Sequence, residues 1–433
     1  MQNKIIDCLK KNEKITDWIL KDSERTSSEL FFVRDQLDMN RRTNLHEYDL
    51  HVYVDFEEDG ERYTGDAVTK IGPADSETEI ASKIEKASIS AALVKNPWYP
   101  LPEKDDTQPH IKKDLQSQAQ FMERFQDIYT AFFGENTTRA NVNSVELFAV
   151  SGKEHIFTSK GVDVEQPVNE FIFELVTDTD IGKEPVEIFR DYYLTEPDID
   201  KIRDIVQKQL EETEGRAIAE PAKQQAHCRV ILSGAEVEEL LRYYVMHATD
   251  TLVYQQISKA QIGEHFIPSV AKQSLDIRVN PALSASTYSG AVDEEGKILT
   301  SYPLYEHGIV KNFRTHAQYS HYLGIENHGF VPTFEVQGGQ RGYEELKGEN
   351  SIEILAFSSF QMDVVTGDFG GEFRLARQIR DGKVTYLSGG AISENIGKAQ
   401  LTMEFSKELQ NQKSSVVPKA ILFEDVTVTG DSI

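Results

Sequence analysis

The chain is expected to be an α+β protein, with an amino-terminal layered α/β domain followed by a β-rich, curved or barrel-like carboxy-terminal domain. Three observations lead there. Helix-type and strand-type hydrophobic patterns alternate through the first half. The polar, small-residue stretch Thr213-Glu-Gly-Arg-Ala-Ile-Ala-Glu-Pro221 then interrupts them and ends on a proline, as domain connectors do. From Ser274 onward, short β-type runs between glycine turns dominate. The expected domains are residues 1–215 and 222–433. The first contains two α–β–α halves, about 1–96 and 110–215, alike in element order only.

Residues 1–21 read as a helix. Glu29-Leu-Phe-Phe-Val33 and Tyr48–Phe56 have the composition and period-2 alternation of strands. Asp59-Gly60 supplies a hairpin turn into Glu61–Lys70. Ser76-Glu-Thr-Glu79 has capping-box form and opens a helix carrying Ile80, Ile84, Ala87 and Ala91 on one face. Asn96-Pro97-Trp98-Tyr99-Pro100 ends it. A helix over about Lys112–Phe133 follows, then strands near Ser144–Thr158, Glu170–Val176 and Pro185–Tyr193, and a helix over Asp198–Glu212. Beyond the connector, His227–Leu232 reads as a strand and Gly234–Met246 as a helix.

Hydrophobic residues make up 39% of the 433 residues and charged residues 27%, a globular composition. No apolar run is long enough to span a bilayer, and residues 1–18 lack a continuous apolar core and a cleavage site, so a cytoplasmic protein is expected. The two cysteines, Cys8 and Cys228, are far apart and outside any CxxC spacing, which excludes a disulfide framework. A net charge of −26 disfavours direct nucleic-acid binding, since no basic stripe with interleaved aromatics offsets it.

Several stretches, in this order and spacing, resemble the TldD/PmbA family. They are Asp293-Glu-Glu-Gly296, Glu306-His-Gly-Ile-Val-Lys-Asn-Phe313, Thr366-Gly-Asp-Phe-Gly-Gly-Glu-Phe373, Ser388-Gly-Gly390, Asn395-Ile-Gly-Lys398 and the closing Val417–Gly430. In the first half, Gly65-Asp66-Ala67 followed by the helix at 76–94 adds to the likeness. The family's PmbA branch is also called TldE, and its members are described as modulators of DNA gyrase and as metalloprotease subunits. The resemblance implies a two-domain α+β protein that pairs as TldD with TldE.

It also implies where chemistry would sit. TldD carries His-Glu-x-x-x-His on the helix after the first carboxy-terminal strand, and a cysteine in a Cys-Gly-Lys pattern near the end. Imidazole and thiolate suit zinc, and the glutamate can take a proton from metal-bound water. Superposed on this chain, Arg242 stands at the first histidine, Tyr243 at the glutamate, His247 at the second histidine and Ile396 at the cysteine. A guanidinium and a hydrocarbon donate no lone pair, and a phenol is a poor base at neutral pH. No catalytic or metal-ligating residue is therefore expected here and no cofactor in this chain, with zinc in a TldD-like partner.

The resulting expectation is a TldE-like, non-metal-binding subunit of a TldD/TldE-type zinc metalloprotease acting on unfolded peptides. Its partner is a TldD-like chain or a second copy, without nucleic acid or membrane. The alternatives are a self-sufficient homodimeric metallopeptidase with a divergent site and a non-proteolytic, gyrase-modulating binding protein.

Other motifs point less far. His316 and His321 are five apart, which subtends about 140° on a helix, and no carboxylate follows the first. A water-activating group built from Asp293, Glu306 or His307 is open, without a spacing that selects it. Asp368-Phe369-Gly370 lacks the other kinase segments, and its glycines suit a bend in a curved sheet. Asn136-Thr-Thr138 matches a glycosylation sequon but reads as a surface loop.

Overall fold

A computed structural model describes residues 1–134, 136–348 and 350–430. The first sheet has seven antiparallel strands: β1 (Asp17–Val33), β2 (Gln36–Glu58), β3 (Glu61–Ile71), β4 (Asn96–Pro97), β5 (Asn141–Thr158), β6 (Asp163–Thr179) and β7 (Val186–Leu194). Their spatial order is β4-β3-β2-β1-β5-β6-β7, so strands from both expected halves lie in one sheet, joined where β1 pairs with β5.

Helices cover one face of this sheet in two groups. Helices α1 (Gln2–Lys11) and α2 (Glu77–Ala91) bury Ile5, Leu9, Ile80 and Ile84 against Leu20, Leu50 and Val52. Helices α3 (Ser117–Glu123), α4 (Phe125–Phe133) and α5 (Ile199–Ala217) bury Phe121, Ile128, Phe132 and Val206 against Leu147, Ala149, Phe171 and Phe173. The Ser76 capping box forms as its sequence predicts, with Ser76 Oγ accepting from Glu79 N and Glu79 accepting from Ser76 N. Asp59 (φ 56°) and Gly60 (φ 81°) supply the positive dihedrals of a tight hairpin turn.

Three local expectations need correction. The first helix stops at Lys11, and β1 starts at Asp17, within the stretch expected to be helical. Adjacent Ile19 and Leu20 are both buried, in different clusters, which a strand between two apolar layers allows. The helix expected over 112–133 starts only at Ser117 and breaks at Arg124, whose ψ of 15° departs from helical geometry. The polar stretch 213–221 is helical to Ala217, because Thr213 is buried and bonded to Gln209 O and Thr177 Oγ1.

The rest of the chain is β-rich. It runs through β8 (Glu220–Pro221), β9 (Gln225–Ser233), α6 (Ala235–His247), α7 (Asp250–Tyr254), β10 (Ile277–Val279), β11 (Tyr302–Glu306) and β12 (Ile309–Val310). There follow α8 (Ala317–Leu323), β13 (Phe334–Val336), α9 (Tyr343–Lys347), β14 (Ser351–Met362), β15 (Asp368–Arg380), β16 (Lys383–Ser388) and β17 (Gly390–Asn395). The last elements are α10 (Ile396–Ala399), β18 (Glu404–Phe405), β19 (Leu409–Asn411), β20 (Ser415–Pro418) and β21 (Ala420–Thr429).

Strands β14, β9, β21, β17 and β15 pair in sequence, and β15 pairs back to β14, which closes a five-stranded barrel. A smaller sheet, ordered β12-β11-β10-β13-β20-β19, stands beside it. Helix α6 presents Val237, Leu241, Tyr244 and Val245 to the core shared by barrel and small sheet, with Ile354, Phe373, Phe423 and Leu304. The seven-stranded sheet meets this part through Ile19, Tyr53 and Ile156 packed on Ala291, Val292 and Ala317. Among the described residues no helix is long and apolar enough to cross a membrane.

Candidate functional site

Gly234 (φ 85°) turns the chain from β9 into α6, and Glu236 and Glu238 sit in the first turn, where the helix dipole favours anions. The helix then carries Arg242, Tyr243 and His247. Arg242 donates to Glu238 Oε1 at 2.5 Å, one turn back, and to Ser414 Oγ at 3.0 Å, with its guanidinium 5.9 Å from the Phe334 ring. Ser414 Oγ also donates to Glu238 Oε1 at 2.5 Å. Arg242 is thus the cation of a local polar network.

His247 lies on another side of the helix and is 5% exposed. Its Nε2 is 2.8 Å from Val364 O, in the loop joining β14 to β15. A carbonyl only accepts, so Nε2 carries the proton and Nδ1 keeps a lone pair. Nδ1 is buried and without a hydrogen-bond partner. The Tyr243 and Phe266 rings flank the imidazole at 4.4 and 5.1 Å. Burial pushes its pKa down, so the neutral ring is favoured. Burial likewise pushes the Tyr243 phenol up, away from a base's range.

Ile396, 2% exposed, begins α10, and its N–H donates to Gly367 O at 2.8 Å, in that same β14–β15 loop. Asn395 holds the start of α10, accepting from Gly397 N at 2.9 Å and donating to Thr366 O at 3.0 Å. The loop therefore gathers His247 and Ile396, with Tyr243 alongside, while Arg242 faces Ser414 and Phe334. Beside the loop opens a hollow of about 590 Å³ lined by Glu239, Asp363, Asp368, Phe369, Ile392 and Ser393, among others. Burial raises the Glu239 pKa, and its neighbour Glu236 adds to the effect.

These side chains do not fit a zinc ion. The four positions offer one neutral imidazole nitrogen, a guanidinium already engaged by a carboxylate on another side of the helix, a phenol and a hydrocarbon, whereas three donors are the least that catalytic zinc sites use.

A second ionisable group lies where the seven-stranded sheet meets the carboxy-terminal part. Asp250, wholly buried, accepts from His316 N at 2.6 Å and lies 3.0 Å from His316 Nδ1. Asp293 accepts from the backbone N–H groups of Glu295, Lys297 and Phe330. Glu295 accepts from Ala317 N at 2.6 Å. Burial raises Asp293 to about 6, and burial with the Asp293 charge raises Glu295 to about 7. Glu306 and His307 stand apart at the exposed turn between β11 and β12, and His321 packs edge-on against Trp98 rather than beside His316. The aspartate partner of His316 was not legible beforehand: Asp250 and His316 are 66 residues apart, with no motif joining them.

A carboxyl group that is more basic folded than unfolded binds its proton preferentially in the native state, so native stability falls as pH rises through that interval. For Glu295 the interval runs from the ordinary glutamate value of 4.5 to about 7. Glu295→Gln, which can still accept from Ala317 N, is expected to flatten the loss of stability between these pH values and to stabilise the protein at pH 7 by ~1–3 kcal/mol. Denaturant unfolding at pH 5 and pH 7 checks this; an unchanged slope in the variant contradicts it.

A family model described as the PmbA/TldA metallopeptidase C-terminal domain matches residues 225–430. No curated protein matches the sequence. Among solved structures, TldE from Thermococcus kodakarensis superposes with a TM-score of 0.78 at 18% identity, covering 99% of this chain and 100% of that one. A candidate modulator of a DNA gyrase from Thermotoga maritima superposes with a TM-score of 0.78 at 16% identity, covering 99% of each chain. Another, from Bacteroides thetaiotaomicron, gives 0.76 at 16% identity, with 99% and 98% covered. At these identities the superpositions establish a shared fold.

Proposed function

We propose that the chain is the TldE-like subunit of a zinc metalloprotease whose metal and general base belong to a TldD-type partner, a reading supported by the match of residues 225–430 to the PmbA/TldA metallopeptidase C-terminal domain. The observation that carries this is the donor set on α6 and α10. If Arg242, Tyr243, His247 and Ile396 occupy the family's chemical positions, one lone pair is left where zinc needs three or four. The full-length likeness to TldE supports the same branch.

The substrate is an extended, unfolded peptide. Its capture by strand addition is supported by an open edge: β3 pairs with β2 only over Tyr48–Glu58, so among the described residues Gln36–Glu47 has β1 as its one strand neighbour. Leu37, Met39 and Leu45 on that arm are 49%, 45% and 48% exposed, offering apolar contact beside sequence-tolerant backbone hydrogen bonding.

A cleavage assay on an unstructured peptide tests the role. The chain alone is expected to be inactive, and its complex with a TldD-type protein to show chelator-sensitive cleavage above that of the TldD-type protein alone. Chelator-sensitive cleavage by the chain alone, lost in His247→Ala, would instead establish a self-sufficient peptidase using the free Nδ1. Recovery of gyrase without a TldD-like chain on co-purification would support the binding-protein alternative.

A further inference from the structure

We propose that Asp22, Glu24 and His46 form a binding site for one divalent transition-metal ion of the zinc type, on the helix-covered face of the seven-stranded sheet and separate from α6. Side chains two apart on a strand share a face, so Asp22 and Glu24 project together from β1. His46 stands directly opposite Glu24 on β2. Its Nε2 lies 2.9 Å from Asp22 Oδ1 and 3.9 Å from Glu24 Oε1. One donor atom from each residue lies within 4.8 Å of the other two. Zinc bonds to nitrogen and oxygen of about 2.0–2.2 Å set neighbouring ligands roughly 3–3.5 Å apart, so only a small closure is needed.

The location distinguishes this trio from a common cross-strand ion pair. The same face is apolar at both ends, around Leu20 and Leu50 under α1 and α2 and around Leu147 and Phe171 under α3 to α5. Between the two helical groups the sheet is crossed by a band of polar residues that includes Asp22, Glu24, Thr26, Asn44, His46 and Lys153. Part of that band, with Glu24 and His46, lines a cleft of about 900 Å³, which leaves room for water on the remaining coordination positions. Strand β1 is held by β2 on one side and β5 on the other, so the donors start from a fixed frame, and the Tyr48 ring packs 4.8 Å from His46.

Imidazole with two carboxylates suits zinc and its transition-metal neighbours; calcium and magnesium prefer oxygen alone. Lys153 Nζ, 4.0 Å from Glu24 Oε1 and 3.3 Å from Glu165 Oε2, is the cation that a metal ion would displace from Glu24.

Calorimetric titration of the chelator-stripped full chain with ZnCl₂, and separately with MgCl₂, tests the site. Expected are one equivalent of zinc, at least tenfold weaker binding in His46→Ala and in Glu24→Gln, tighter binding in Lys153→Ala, and no saturable binding of magnesium. Glu24 is 48% exposed, so its conservative variant retains the fold if His46→Ala does not. Zinc isotherms that do not saturate, that are the same in wild type and Glu24→Gln, or that magnesium reproduces would overturn the proposal.

Discussion

Gly370→Ala is expected to cost ~3 kcal/mol or more, enough to threaten folding at 37 °C. Gly370 has a φ of +151°, a conformation that L side chains rarely adopt, and an added methyl would lie 2.1 Å from Ile392 O and 2.9 Å from Ser393 Cα. Both obstacles are backbone atoms of β17, which pairs with β15 through Gly370↔Ser393 inside the closed barrel. Neither strand can retreat without opening the ring. Gly60→Ala is the control: φ is +81° at a hairpin tip with nothing within 4 Å, so the conformational penalty stands alone at ~1 kcal/mol. Urea unfolding of the two variants separates the terms, and equal losses would contradict the barrel contact.

The second large effect is expected at Arg377→Met, at ~3–5 kcal/mol. Its guanidinium forks onto the wholly buried Glu353, with Nε 3.1 Å from Oε2 and Nη2 on the same oxygen, while Tyr343 Oη donates to Oε1. Removing the cation strands a carboxylate in the interior, the costly way to break a buried pair. Glu353→Met in the same chain is expected to recover most of the loss, because an apolar pair needs no compensating charge. Thermal unfolding of both single variants and the double variant measures the coupling; additive losses would show that the pair does not act as a unit.

The barrel-like half was legible because glycine turns and short β-type runs are local signals. Ser76 and Glu79, and Asp59 and Gly60, act within four residues of themselves and fold as their chemistry dictates. The ten residues after Lys11 were harder, because β1 is buried on both faces at Ile19 and Leu20, and adjacent apolar residues read as readily as helix. Closure of the barrel through β14 and β15, the pairing of Asp250 with His316 and the convergence of Asp22, Glu24 and His46 all depend on chain segments meeting across the fold, which no local pattern encodes. At α6 the sequence named the residue types. The structure adds that Nε2 of His247 is occupied by Val364 O and that Arg242 is bound to Glu238.

The functional account rests on that donor set, and zinc stoichiometry in two variants tests it most directly. His46→Ala removes the donor proposed on the sheet, so zinc retained by that chain would have to sit elsewhere. Elemental analysis after zinc loading and desalting is expected to give near-zero zinc both in His46→Ala and in His46→Ala combined with His247→Ala. One zinc per chain in the single variant, lost when His247 is also removed, would show that α6 holds a metal after all and that this chain carries its own catalytic centre.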